Sequence, residues 1–312
     1  MMDRTDRHFR FLIRLLSRHT VLFTEMITAQ ALHHGDSKKL LRYHPEEHPL
    51  ILQLGGSDPV LLGKAALLAK NEGYDEINLN VGCPSERVQS GSFGVCLMVE
   101  PEQVAQCVQS MMQASGLPVS VKHRIGFDHH DSYEELSQFV SIVAGAGCKV
   151  FQVHARKAWL KGLSPKENRE KPPLRYDIVE RLKKDFPNLL FMLNGGIVTL
   201  DQVESHLGLF DGVMIGREAY RNPYLFSEID ARFFGVQDRV KTREEVVNLL
   251  IPYVRSEMKL GERFPHISRH FVGLYLGTKG AKAWRQTLAE GKDAAALERA
   301  LDSLGKNCQS LP

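Results

Sequence analysis

The chain has no Cys-x-x-Cys pair and no other clustering of thiols. Its five cysteines, Cys83, Cys96, Cys107, Cys148 and Cys308, are odd in number and widely spaced. That pattern argues against a disulfide framework and against a zinc site, so no metal is expected and a reducing compartment fits best. Long apolar runs are also missing. The run Phe9 to Leu16 is interrupted by Arg10 and Arg14, which reads as an amphipathic helix and excludes a signal peptide or membrane span; a soluble, cytoplasmic protein with no membrane partner is expected. Strong charge of one sign is absent, since 40 Lys+Arg oppose 37 Asp+Glu for a net charge of +3. A nucleic-acid role would therefore need local clustering of charge. There is no Rossmann fingerprint, internal repeat or low-complexity tract, and nothing in the sequence requires an obligate protein partner.

What is present is alternation. In 312 residues, enough for one large domain or a barrel with a small appendage, β-rich runs recur at Val21 to Ile27, Leu50 to Leu54, Glu76 to Val81, Val119 to His123, Lys149 to His154, Leu189 to Asn194 and Gly212 to Gly216. Segments with helical spacing separate most of them, at Pro59 to Asn71, Pro101 to Ala114, Ser132 to Ala146 and Asp177 to Asp185. These are long enough for right-handed crossovers and hence a parallel sheet. The series predicts a (β/α)8 TIM barrel whose first strand is largely missing from the chain, because seven runs precede a change of pattern. No strand comes before Thr5 and Asp6, which look like cap residues for the first helix. After about Val236 only helical patterns follow, at Arg243 to Leu260, Ile267 to Tyr275 and Ala294 to Leu304. The expected division is a barrel over 1–236 and a helical domain over 237–312.

Chemistry-bearing residues gather where strands end. Asn78-Leu79-Asn80-Val81-Gly82-Cys83-Pro84-Ser85 runs an apolar strand into a Gly-Cys-Pro turn, placing a thiol at a carboxyl end, where barrels build their sites; a buried turn cysteine that merely packs is the competing reading. Gln53, Asn80, Lys122, Arg124, His154, Arg156, Asn194 and Arg217 occupy or closely follow other strand ends. Lys122 and His154 project from neighbouring strands towards one cavity. Asn194-Gly195-Gly196 and Gly216-Arg217 follow the last two strands, where barrels commonly take a phosphate on loop N–H groups. Cys96 and Cys107 lie in apolar or helical settings and read as packing residues. From Arg156 to Arg175 the chain carries seven Lys or Arg against Glu167 and Glu170, with Trp159 interleaved, and Lys279, Lys282 and Arg285 surround Trp284. Basic stretches of this kind suit an RNA backbone.

These residues resemble the tRNA-dihydrouridine synthases, and within them the A subgroup. The likeness is carried by Glu76 to Ser85, by Val153-His154-Ala155-Arg156-Lys157-Ala158-Trp159-Leu160, and by Gly162 to Glu170. The resemblance implies an FMN-dependent oxidoreductase with a barrel and a C-terminal helical domain, reducing the C5–C6 bond of D-loop uridines of tRNA, at positions 20 and 20a, with NADPH as reductant. It implies Cys83 as proton donor. FMN contacts would come from Met1, Met2, Gln53, Lys122, His154, Asn194, Gly195, Gly196, Gly216 and Arg217. Contacts to tRNA would come from Asn80, Lys166, Arg169, Lys282 and Arg285. Family members have a first strand ending in Ala-Pro-Met; here only Met1 and Met2 remain of it, and the natural start is expected upstream. Two competing expectations are a flavin barrel acting on a free pyrimidine and a non-catalytic RNA-binding protein on a barrel scaffold.

Overall fold

The computed structural model describes residues 1–85 and 93–309, with side chains described up to 304, which leaves the Cys308 side chain outside the described residues. Seven strands, β1 (Leu22–Thr28), β2 (Leu50–Gly55), β3 (Glu76–Val81), β4 (Val119–Arg124), β5 (Val150–His154), β6 (Leu190–Asn194) and β7 (Gly212–Met214), form one sheet in sequential order. From β2 to β7 every pairing is parallel. Helices Pro59–Glu72, Pro101–Ser115, Tyr133–Gly145, Tyr176–Asp185 and Leu200–Leu207 provide the crossovers, giving the βα alternation of a TIM-type barrel.

Period-two alternation sorts the side chains of this sheet. Ile77, Leu79, Val81, Val121, Phe151, Val153, Phe191 and Leu193 are wholly buried and form the apolar face beneath the helices. The other phase is polar: Asn78 and Asn80 on β3, Ser120, Lys122 and Arg124 on β4, Gln152 and His154 on β5, Asn194 on β6. Local chemistry sets the crossovers. Asp58 caps Pro59–Glu72 by accepting from the N–H groups of Val60 and Leu61, Pro59 opens the helix, and Gly73 ends it at φ 89°, a left-handed conformation that glycine adopts without Cβ strain. Ser132 with Glu135 and Thr199 with Gln202 form reciprocal capping boxes, each satisfying helix N–H groups that lack intrahelical partners.

The chain divides into two compact units, residues 1, 23–43 and 48–216 in one, and residues 2–22, 44–47 and 217–312 in the other. The second is helical, with Arg7–Leu16 packed on Arg243–Lys259. Asp6 caps Arg7–Leu16 through the N–H groups of His8 and Phe9. Arg10 and Arg14 of that helix depart from the amphipathic expectation, because both are buried. Arg10 pairs with the equally buried Glu47, and Arg14 donates to the carbonyls of Ser17, Arg18, Thr20 and Glu47. A buried cation persists only with such partners, and the helix is covered all round. The run Ile267 to Tyr275 also differs from the expected single helix. It is split into Phe264–Ser268 and a 3-10 turn at Val272–Tyr275, and Gly273 in that turn weakens any continuous helix. Among the described residues, no helix is long and apolar enough to cross a membrane.

Candidate active site

The polar phase of the sheet builds the site in layers. In the lower layer the Gln53 amide donates to Asn78 Oδ1 at 2.8 Å, and Asn78 Nδ2 donates to Ser120 Oγ at 2.9 Å and to Gln152 Oε1 at 2.6 Å. All four residues are buried. An unpaired amide at such a depth costs about 1–3 kcal/mol, so the four are mutually dependent. Their signal in the sequence is the alternation Ile-Asn-Leu-Asn-Val, Val-Ser-Val-Lys-His-Arg and Phe-Gln-Val-His, and these contacts were not anticipated from it.

The upper layer carries the chemistry. Asn80 and Lys122 are register partners, as are Arg124 and His154, and His154 and Asn194. Asn80 Nδ2 donates to Gln53 Oε1 at 2.9 Å, while its Oδ1 accepts from the N–H of Gly82 at 3.1 Å and of Cys83 at 3.0 Å. One side chain therefore ties the lower layer to the turn that carries the thiol. Cys83 is half-buried and reduced, with its Sγ 3.5 Å from Ser85 Oγ. Lys122 Nζ has a long contact, 3.5 Å, to Asn194 Oδ1. Burial pushes this amine down to about 8, and the Arg124 charge contributes in the same direction. Asn194 is held by its own donation to Met214 O at 2.8 Å.

The glycines after β6 and β7 are backbone devices. Gly195 and Gly196 adopt φ 115° and 76°, and a Cβ on Gly195 would lie 2.8 Å from His154 Cδ2. Tyr176 OH fixes the turn by donating to Gly195 O at 2.6 Å. At Gly216 a Cβ would meet nothing nearer than Asn194 Nδ2 at 3.8 Å, so the space there is open. Gln53, Asn80, Cys83, Lys122, His154, Asn194, Gly195, Gly196 and Gly216 thus share the carboxyl end of one sheet. The polar floor, the cation and the glycine turns fit a planar heteroaromatic cofactor with an anionic tail.

Met1 is half-buried and Met2 exposed. Arg217 is exposed at the start of the short helix Arg217–Arg221. Lys282 and Arg285 are exposed on Ala281–Glu290, a helix not anticipated from the sequence, whereas Trp284 turns inward and donates to Phe271 O at 3.0 Å. Trp284 is thus a core residue and no part of a basic stripe. The loop after β5 is less open in charge than its composition implies. Arg156 donates to the carbonyls of Glu170 and Pro172, Lys157 pairs with Asp131 and lies over Trp159, Lys171 pairs with Glu167, and Arg175 pairs with Asp177. Lys166 is exposed and Arg169 half-buried. Burial pushes the thiols of Cys107 and Cys148 up to about 12, as suits packing residues.

Asn168 and Arg124 received no role from the sequence, and both organise the site. Asn168 is fully buried and spans its loop, bonding to the N–H and carbonyl of Trp159 and to Leu163 O. Arg124 Nε donates to Gly82 O at 3.0 Å.

Comparison with known proteins is consistent with this arrangement. The family model described as "Dihydrouridine synthase (Dus)" matches residues 1–309. A tRNA-dihydrouridine(20/20a) synthase of Synechocystis sp. is 54% identical over 312 residues, covering 100% of this chain and 93% of that protein. Its counterpart in Pseudomonas putida is 57% identical over 289 residues, covering 93% of this chain and 86% of that protein. Among solved structures, a complex of 2-naphthoyl-CoA reductase with 2-naphthoyl-CoA aligns with a TM-score of 0.56 at 12% identity, over 74% of this chain and 47% of that one; that likeness speaks for the fold alone.

Proposed function

Because the chain belongs to the dihydrouridine synthase family, we propose that it reduces the C5–C6 double bond of uridines in the D-loop of tRNA, at positions 20 and 20a. The single observation that carries this reading is the Asn80 clamp, which fixes the Cys83 turn beside Lys122 on the polar floor of the barrel. RNA binding alone requires no such arrangement. Bound FMN, reduced by NADPH, supplies the hydride that saturates C6.

The chain's own residues then have distinct tasks. Cys83 Sγ delivers a proton to C5, for which the thiol must be protonated at the start of the reaction. Gln53, Lys122, His154 and Asn194 would hold the cofactor ring, and Lys122 would place a positive charge where it can stabilise negative charge developing on a uracil carbonyl. Gly195, Gly196, Gly216 and Arg217 take the phosphate, glycine allowing close backbone approach. Met1 and Met2 complete the cofactor wall. Asn80 hydrogen-bonds the base edge. Lys166, Arg169, Lys282 and Arg285 contact tRNA phosphates. The target uridine must leave its stack, at about a few kcal/mol, and these phosphate contacts offset that cost. In functional terms residues 1–236 bind the flavin and residues 237–312 serve tRNA, in the cytoplasm.

The test is spectroscopic. Purified protein should show a flavin band that bleaches anaerobically with NADPH and returns on adding unmodified tRNA, with dihydrouridine appearing in the digested RNA. A colourless protein, or a reduced flavin indifferent to tRNA, would overturn the reading.

A further inference from the structure

Arg124 is buried, yet among the described residues its hydrogen-bond partners are all backbone carbonyls. Nε donates to Gly82 at 3.0 Å, and Nη1 donates to Asn168 at 3.1 Å, Lys157 at 3.2 Å and Arg156 at 3.5 Å. Burial lowers the guanidinium to about 10, so it stays charged at neutral pH. Burying a cation against neutral acceptors is unfavourable. Closing the sheet does not require it, since β4 is already paired with β3 as far as His123 and with β5 through Arg124 itself.

What Arg124 adds is a link between segments that do not adjoin in the sheet. Gly82 follows β3 and precedes Cys83. Asn168 follows β5, sits between Lys166 and Arg169, and locks its loop through Trp159 and Leu163. The Cys83 turn is thus held from two sides: Asn80 takes the N–H groups of Gly82 and Cys83, and Arg124 takes the Gly82 carbonyl. A guanidinium can do this because its donors diverge in one rigid plane; a lysine ammonium presents a point charge on a flexible stem.

We infer that Arg124 is a positioning residue of the reaction, bridging the Cys83 turn to the loop of Lys166 and Arg169 so that an RNA backbone docked on that loop sets the position of the thiol. The inference rests on the reading of the chain as a tRNA-reducing enzyme. It assigns docking and proton delivery to one connected piece of backbone, with two buried side chains, Arg124 and Asn168, as its joints.

The experiment compares wild type, Arg124→Lys and Arg124→Gln as flavin-loaded full-length protein. Two quantities are read: reoxidation of the reduced flavin at saturating tRNA, and alkylation of Cys83 by iodoacetamide with and without tRNA, followed by peptide mass spectrometry. A misplaced reacting group costs about a hundredfold in rate, so both variants should lose about that factor at saturating tRNA, the lysine variant no less than the glutamine one. In both, Cys83 alkylation without RNA should rise several-fold and cease to respond to tRNA. Full rate in Arg124→Lys, or a loss confined to tRNA affinity, would overturn the inference. If Arg124→Lys fails to fold, Asn168→Ala tests the same link from its other end and should abolish the tRNA response of Cys83 alkylation. The two failures are separable: wild type that forms no dihydrouridine refutes the functional reading, whereas Cys83 alkylation unchanged in Arg124→Lys refutes the clamp.

Discussion

Asn168 and Trp159 hold each other through paired hydrogen bonds, Trp159 N–H donating to Asn168 Oδ1 at 2.7 Å and Asn168 Nδ2 donating to Trp159 O at 2.8 Å. The same Nδ2 reaches Leu163 O at 3.2 Å. Nine residues of loop are therefore organised around one buried amide, and the exposed Lys166 rides on that organisation.

Asn168→Ala should destabilise the protein by about 1–3 kcal/mol, because truncation removes the side-chain partner of half-buried backbone groups of Trp159 and Leu163. It should also weaken tRNA binding, since Lys166 and Arg169 lose their fixed spacing. Urea unfolding and filter binding read the two effects. Binding unchanged in a destabilised variant would remove the loop from RNA recognition.

Two glycines make opposite predictions. At Gly195, φ 115° and the nearby His154 ring leave no room for a Cβ, so Gly195→Ala should displace His154, lower stability and release flavin together. At Gly216 the space is open within the protein. Gly216→Ala should therefore melt at the wild-type temperature yet bind flavin less tightly, because a methyl group would intrude where the cofactor approaches. Normal flavin affinity in Gly216→Ala would move the phosphate elsewhere.

Most of the architecture was legible because strand and helix periods differ so plainly along this chain. All seven strand runs appear within two residues of their expected ends, and Glu76–Val81 matches outright. Residues at the strand ends were legible for the same reason: a parallel sheet puts all its carboxyl ends on one side. The lower amide layer was not, because Asn78, Ser120 and Gln152 signal only through phase, and phase acquires meaning only once the register is known. The burial of Arg10 and Arg14 was hidden too. Glu47, which balances Arg10, lies 37 residues on, and arginine on a helix ordinarily signals solvent. The pairing within the basic loop was hidden for a related reason, since composition counts charges and cannot show that Lys157, Lys171 and Arg175 face Asp131, Glu167 and Asp177.

The rate should fall with rising pH as Lys122 loses its proton. Its amine is lowered to about 8 by burial, against about 10.4 when unfolded, so the cation that stabilises developing negative charge is present at pH 7 and depleted above pH 8. Stability moves the other way. A lysine with a depressed folded value opposes folding while both states are protonated, and that penalty is relieved as pH rises through the interval between the folded and unfolded values. Lys122→Arg keeps its charge throughout and should shift the descending limb of the pH–rate profile upward. A limb that does not move would assign the titration to another group.

Replacing Cys83 by alanine separates the two halves of the reaction. The Asn80 clamp acts on the backbone N–H groups of Gly82 and Cys83, which alanine retains, so the turn should keep its shape and flavin should remain bound. Loss of a positioned general acid costs about 10²–10⁴-fold. Reduction of the flavin by NADPH needs no proton from Cys83 and should proceed, whereas reoxidation by tRNA should slow by that factor. Stopped-flow absorbance of each half-reaction checks both. Because alanine has no exchangeable proton, a solvent isotope effect present in the wild-type oxidative step should also change in Cys83→Ala, and oxidation by tRNA at an undiminished rate would take the thiol out of the mechanism.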